Sequence, residues 1–314
     1  MEYELIPFGK EHVDGAVELF AENYTREREK LPLLPVRAVA EPDWIADSLM
    51  QRLEEPGVAV LGEGRLLGYM ITGLRFSFKG QQAAACPEFA HAAVEEDKAV
   101  LYQLMYMALS GKWVAEGIHL HILFHLAGDA LLKETLFQLG FGAILAERLR
   151  DFSPVGGADV EIVRENDFSR LIDLEIEHNG YYRKSPIFIL KDTDREFMAA
   201  DLEEHGLTDE FLVYYEEVEP AACFIMGESA SDEEGFLLRG TNSAQIKSAF
   251  VKPHLRGRGI GKSMLRHAVE WAREHGFERL FVEHETANFY GGNFWRRHFS
   301  PYMFVSMRYI ENRI

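Results

Sequence analysis

Hydrophobic and polar positions along the chain follow one order, and that order is written twice. Tyr3 to Pro7 begins with strand alternation, and Asp159 to Val163 begins again the same way. Each is followed by a segment of helical period, His12 to Asn23 and then Phe168 to His178. A hairpin-like pair comes next. In the first half, Val58 to Leu61 turns at Gly62-Glu63-Gly64 into Leu66 to Ile71; in the second, Phe211 to Tyr215 turns through Glu216 to Pro220 into Ala221 to Met226. The closing element also recurs, as Leu131 to Phe141 and as Phe294 to Phe299. A near-constant offset of about 155 residues describes a duplicated domain and not a solenoid, whose repeats are far shorter.

Asp151-Phe152-Ser153-Pro154-Val155-Gly156-Gly157 carries the turn chemistry expected between two such units. The boundaries predicted are therefore 1–150 for the first domain, 151–158 for a linker and 159–314 for the second. With 314 residues and 47% apolar content the chain is globular throughout. The net charge of −18 divides evenly between the halves, so the surface repels nucleic acid and anionic lipid and favours a cationic acceptor. Cys86 and Cys223, one in each half, suit a reducing compartment. Met1-Glu2-Tyr3-Glu4 has no basic leader, and no apolar run approaches the roughly 20 residues that span a bilayer. A cytoplasmic protein is expected, with no membrane partner and with a homodimer left open.

The most informative stretch is Ile246 to Ser263. It reads as a short apolar strand to Val251, a turn with Pro253, Gly257, Gly259 and Gly261, and a helix on which Met264, Leu265, Ala268, Val269 and Ala272 recur at helical spacing before Gly276. A glycine-rich turn opening a helix aims unpaired N–H groups outward at the positive end of the helix dipole, which is where an anion binds. Arg256, Arg258 and Lys262 add positive charge in an acidic chain. Spacing decides which phosphate motif this is. A P-loop would need glycine at Arg256, and a dinucleotide fingerprint would need glycine at Lys262, so both fail. Arg256, Gly259 and Gly261 do match Arg/Gln-x-x-Gly-x-Gly/Ala, and the stretch resembles the acetyl-CoA pyrophosphate loop of the GNAT superfamily of N-acetyltransferases.

The residues after that helix extend the resemblance. Leu280-Phe281-Val282 form a second strand, then come Asn288, Phe294, Trp295 and Phe299, similar to the superfamily's asparagine after the fifth strand and its aromatic helix. Trp295 stands where many members carry tyrosine, and His298 where they carry glycine. The resemblance implies an α/β fold of two tandem GNAT-like domains, each a twisted, mostly antiparallel sheet within a mixed α+β arrangement flanked by helices. The first half shares it, ending in Gln138-Leu139-Gly140-Phe141, but has no pyrophosphate loop: Phe89 to Lys98 lacks glycine and carries Glu95, Glu96 and Asp97 in a row. Such an acidic helix start repels a diphosphate, so the first domain is expected not to bind CoA.

The implied activity is acyl transfer from acetyl-CoA to an amine of a small molecule, by direct attack in the second domain. Alternatives are a non-catalytic acyl-CoA-binding module and a protein N-acetyltransferase. By the same carry-over, the main chain of Ala249, Phe250 and Val251 pairs with the pantetheine arm, the backbone of Arg256, Gly257, Arg258, Gly259, Ile260, Gly261 and Lys262 holds the diphosphate, and Asn288 and Trp295 flank the CoA arm. The strand Gln245 to Val251 has no carboxyl group to serve as base, which leaves Glu283, His284 and Glu285 as neighbours, with Glu283 and His284 the named candidates and on opposite faces. Tyr290 is the candidate acid for the departing thiolate. Leu31 to Trp44 and Tyr181 to Asp201 are expected to border the acceptor, and Glu228 to Ser243 to be a connector. His119, His121 and His125 alternate with apolar residues, which reads as a half-exposed or interdomain imidazole face with no metal site, since no neighbouring carboxylate or cysteine accompanies them.

Overall fold

The computed structural model describes residues 2–229, 236–238 and 241–313. The elements run β1 (Glu4–Pro7), α1 (Val13–Lys30), α2 (Arg37–Ala40), α3 (Asp43–Met50), β2 (Gly57–Gly62), β3 (Arg65–Ile71), β4 (Leu74–Phe78), β5 (Gln81–Cys86), β6 (His91–Ala93), α4 (Lys98–Ala115), β7 (Leu120–Leu126), α5 (Ala130–Gln138), β8 (Gly142–Arg150), β9 (Val163–Arg164), α6 (Ile172–Tyr182), α7 (Arg195–His205), β10 (Glu210–Glu216), β11 (Glu219–Glu228), β12 (Ser243–Val251), α8 (Ile260–Glu274), β13 (Arg279–Glu285), α9 (Phe289–His298) and β14 (Ser300–Tyr309). The fold is α/β with mixed sheets. Contacts divide the described residues into unit 1, residues 2–146, 236–238, 241 and 301–313, and unit 2, residues 147–229 and 242–300. No helix among the described residues is long and apolar enough to cross a membrane.

In unit 1, β1, β2, β3 and β6 pair in that order, and β4, β5, β7 and β14 form a second run. The closing strand, which its sequence position assigns to the second half, groups with unit 1 because it pairs with β7 from Met303↔Leu126 to Tyr309↔Leu120. That pairing also removes the half-exposed reading for two of the three histidines, His119 alone being half-buried. His121 and His125 are buried, not half-exposed, and each is hydrogen-bonded, His121 Nδ1 to Tyr106 Oη at 2.8 Å and His125 Nε2 to Ser306 Oγ at 2.9 Å. Tyr106 on α4 and Ser306 on β14 each meet one nitrogen of an imidazole, so a strand with an alternating pattern is covered on the face that carries them.

Unit 2 orders β9-β10-β11-β12-β13. Strand alternation sorts its core into two layers. Ala222, Phe224 and Met226 of β11 pack with Met264, Leu265, Ala268, Val269 and Ala272 of α8, whereas Cys223 and Ile225 face Leu174, Met198 and Leu202 of α6 and α7. At about 1.5–3 kcal/mol per buried large apolar side chain, the α8 face is a principal source of that unit's stability. Of the strand expected over Asp159 to Val163 only Val163–Arg164 pairs, since the preceding Ala158 is drawn to the start of α8, where its carbonyl accepts from Ser263 Oγ at 2.7 Å. The connector expected over Glu228 to Ser243 falls largely outside the described residues.

Candidate active site

A cleft of about 1070 Å³ opens in unit 2 among α6, α7, β11, β12, β13, α9 and the turn that starts α8. Its geometry begins with two strands that part. β12 and β13 pair in parallel from Ser243↔Arg279 to Ile246↔Val282 and no further, although β12 runs on to Val251 and β13 to Glu285. A bulge in the β11 pairing between Ile225 and Met226 adds a kink at the same level. Among the described residues, the β13-facing edge of β12 beyond Ile246 is therefore without a strand partner. Ala249, Phe250 and Val251 lie there and line the cleft; the Val251 carbonyl accepts from Arg256 Nε at 3.1 Å.

The turn closes one end. Gly257 and Gly259 have φ of 80° and 87°, a conformation costly for any residue with a Cβ. Among the described residues the amides of Gly257, Gly259, Ile260 and Gly261 make no hydrogen bond, whereas Lys262 and Ser263 N–H both reach the Gly259 carbonyl at 3.1 Å. Four unpaired donors at the start of a 15-residue helix point where the helix dipole favours an anion. Lys262 and, at the end of α9, Arg297 line the cleft beside them. Sequence reasoning misses Arg297, because its sequence neighbours carry no signal of what it faces. At the start of α4, where the first half's loop would fall, Lys98 is instead buried and paired with Asp129 at 3.0 Å and Glu95 at 2.7 Å.

Every other sequence-predicted site residue lines the cleft except Arg258, which is exposed, and Ile260, whose side chain is in the core. The Arg256 guanidinium lies 4.9 Å from the Tyr181 ring and 4.7 Å from the Tyr290 ring. Tyr290 is 56% exposed and Glu283 is exposed. Asn288 caps α9: its Oδ1 accepts from Gly291 N–H at 3.0 Å and from Tyr181 Oη at 3.1 Å, so the NH₂ end is the part able to meet a ligand. Trp295 is buried against Phe224 and Phe299.

His284 does not fit the base role expected of it. Its Nε2 accepts from Arg148 Nε at 2.9 Å, so Nδ1–H donates to the Glu285 carbonyl at 2.9 Å, and burial pushes its pKa down to about 4. Both nitrogens are engaged and the lone pair a base would use already holds a guanidinium N–H. A different cluster occupies the opposite wall. Glu175 and His178 on α6, 4% and 7% exposed, lie 3.0 Å apart, carboxyl Oε2 to Nδ1, and Ser248 Oγ on β12 is 3.3 Å from each. His178 stacks on Phe250 at 5.0 Å. In the sequence both residues read only as part of a helix; their i, i+3 spacing is visible there, but not that Ser248, 70 residues on, closes the group.

Residues 173–299 match the profile of the acetyltransferase (GNAT) family. This segment is a GNAT acetyltransferase domain. It spans α6 through α9, and so contains the parted strands, the four amides and the Glu175–His178 pair. A solved GCN5-related N-acetyltransferase from Sphaerobacter thermophilus is similar over nearly the whole chain, with a TM-score of 0.55, 13% identity and coverage of 98% of this chain and 96% of that one. A GCN5-related glucosamine N-acetyltransferase region of a fungal multi-domain GH3 β-N-acetylglucosaminidase gives a TM-score of 0.53 at 12% identity, over 98% of this chain and 38% of that one. A tandem GNAT protein from the clavulanic acid biosynthesis pathway covers 98% of both chains at 12% identity with a TM-score of 0.45. No curated protein matches in sequence. At such identities the likeness reaches the fold and stops short of the acceptor.

Proposed function

We propose that the GNAT domain binds acetyl-CoA and transfers its acetyl group to the amine of a small molecule, while unit 1 binds no CoA. The observation that carries this is the set of four unpaired amides at Gly257, Gly259, Ile260 and Gly261, held by two left-handed glycines beside Lys262 and Arg297. They would take the donor's diphosphate by charge-assisted hydrogen bonds. The parted edge of β12 at Ala249 to Val251 supports a place for the pantetheine arm and for a main-chain donor to the developing oxyanion. Asn288 and Trp295 flank that arm in the same reading. Tyr290, in the cleft wall, is suited to protonate the leaving thiolate, with Glu283 a solvent-facing carboxylate nearby.

The reaction forms a C–N bond to the acetyl carbonyl and breaks its C–S bond, releasing CoA thiol. Calorimetric titration with acetyl-CoA tests binding, and thiol release across a panel of primary amines tests transfer. Absence of binding would end the proposal. A non-catalytic acyl-CoA-binding module is the second reading, favoured by one observation: Trp295, where a proton-donating tyrosine is common, is buried in the core and offers no usable acid. Binding without thiol release for any amine would select it.

A further inference from the structure

We propose that His178 is the general base of this site, with Glu175 as its positioning residue; the inference rests on the transferase reading above. The pair has the geometry of a nucleophile-activating dyad. Glu175 Oε2, 3.0 Å from His178 Nδ1, fixes the Nδ1–H tautomer. His178 Nε2 is then the bare nitrogen, and among the described residues it has no hydrogen-bond partner, in a side chain that lines the cleft. Stacking on Phe250 at 5.0 Å holds the ring against the strand segment proposed to carry the acyl donor. Ser248 Oγ–H donates to Glu175 Oε2 at 3.3 Å, while Oε1 is buried and, among the described residues, unpartnered. A buried carboxyl with an unmet oxygen is costly as structure alone, and such groups concentrate where function requires them. Among the described residues, the other imidazoles and carboxyls of the cleft do not combine burial with a free basic atom: His284 is engaged on both nitrogens, and His205, His298, Asp192, Asp201 and Glu283 are not buried.

An alkylammonium titrates near 10, so at neutral pH it must lose a proton before it can attack. His178 Nε2 takes that proton, and the imidazolium is stabilised by Glu175 on the other nitrogen. The neutral nitrogen then attacks the acetyl carbonyl, the C–S bond breaks with its electron pair, and the second amine proton goes to the thiolate. The proton held by His178 leaves to solvent when product departs. Tyr182 on α6 packs against the ring, Cys223 on β11 lies near Glu175, and the titratable groups on the neighbouring cleft wall include Tyr181 on α6, Lys191 and Asp192 before α7, Asp201 and His205 on α7, Lys247 on β12 and Glu283 on β13. Burial raises Tyr182 and Cys223 far beyond the neutral range, and Lys247 is paired with Asp209 at 2.7 Å.

The test compares two probe acceptors with acetyl-CoA as donor: benzylamine, an ammonium at pH 7, and hydroxylamine, already neutral there. For His178→Gln, kcat with benzylamine should fall roughly 10²–10⁴-fold, with hydroxylamine rates and acetyl-CoA affinity by calorimetry near wild type. A rise of kcat with pH is expected for benzylamine in the wild type, and it should vanish in the variant. An unchanged benzylamine rate, or an equal fall with both amines, would overturn the assignment while leaving acetyl-CoA binding, and with it the parent reading, intact. A second arm needs no turnover. Nitrogen-15 NMR of His178 in the acetyl-CoA complex should show Nδ1–H with Nε2 bare, and Glu175→Gln should mix the tautomers; a protonated Nε2 in the neutral ring would sink the proposal.

Discussion

Gly261 is the position at which the anion site can be tested without touching the fold. It is the second residue of α8, and a Cβ there would meet Phe294 Cε2 at 3.5 Å and Val251 Cγ2 at 3.9 Å, ordinary contacts with two residues of the cleft wall. An aspartate in the first turn of a helix gains about 0.3–1 kcal/mol from the dipole, and it replaces a residue costing about 1 kcal/mol in helix propensity. Gly261→Asp should therefore leave thermal stability unchanged or slightly raised. Its carboxylate, however, stands beside the four amides and competes for them. Against a diphosphate of about two charges at about 5 Å, repulsion is about 3 kcal/mol per pair at an effective dielectric of 20 and about 1 kcal/mol near bulk water. A total of roughly 2–6 kcal/mol corresponds to weakening of at least about 30-fold. Calorimetric titration of acetyl-CoA reads it, with Gly261→Asn as the uncharged control of similar size, expected to lose much less. Wild-type affinity in Gly261→Asp would refute the placement of the diphosphate.

Other contacts give three further expected outcomes. Gly157→Ala would put a Cβ 2.5 Å from Ser263 Oγ and 2.7 Å from Ser263 N, so the backbone must shift; a loss of about 1–3 kcal/mol at roughly 2–4 °C per kcal/mol should appear in a melting curve, and an unaltered Tm would show the approach to be looser than described. His91, His121, His125 and His284 are each pushed down to about 4 by burial, against about 6.5 when unfolded. The unfolded chain thus binds more protons between those values, and stability present above pH 6.5 is lost as pH falls toward 4; denaturant unfolding across that window should give a free energy that rises with pH, and a flat profile would contradict neutral burial. Tyr290→Phe should lower kcat by about tenfold or less, because solvent can also protonate the thiolate, without altering acetyl-CoA affinity; an unchanged kcat removes Tyr290 from the chemistry.

The features legible in the sequence are those that depend on neighbours in sequence. The left-handed glycines at 257 and 259, the helix they open and its apolar stripe lie within some twenty consecutive residues, so spacing and period determine them together. His284 shows the opposite case. Strand alternation correctly separates it from Glu283, but its fate is decided by Arg148, 136 residues earlier, whose N–H takes the lone pair. The pattern of His119 to His125 misleads for the same reason: alternation of polar and apolar residues signals one wet face only if nothing polar arrives to cover it, and here Tyr106 and Ser306 do.

The acceptor side of the cleft obeys the same distinction. A diphosphate site made of main-chain N–H groups can be built by one turn, because the donors are consecutive and need only the right φ. A base needs a side chain whose free atom is set by two or three others, and in Glu175, His178, Ser248 and Phe250 those partners come from a helix and a strand brought together by the core of unit 2. The helices α6 and α7 and the segment between them supply Tyr181, Asp192, Phe197 and Asp201 to the wall. Under the proposed transferase reading, acceptor choice rests on tertiary contacts of these helices and not on the donor's turn. Substitutions on α6 and α7 should change which amine is used while leaving the anion site as it is.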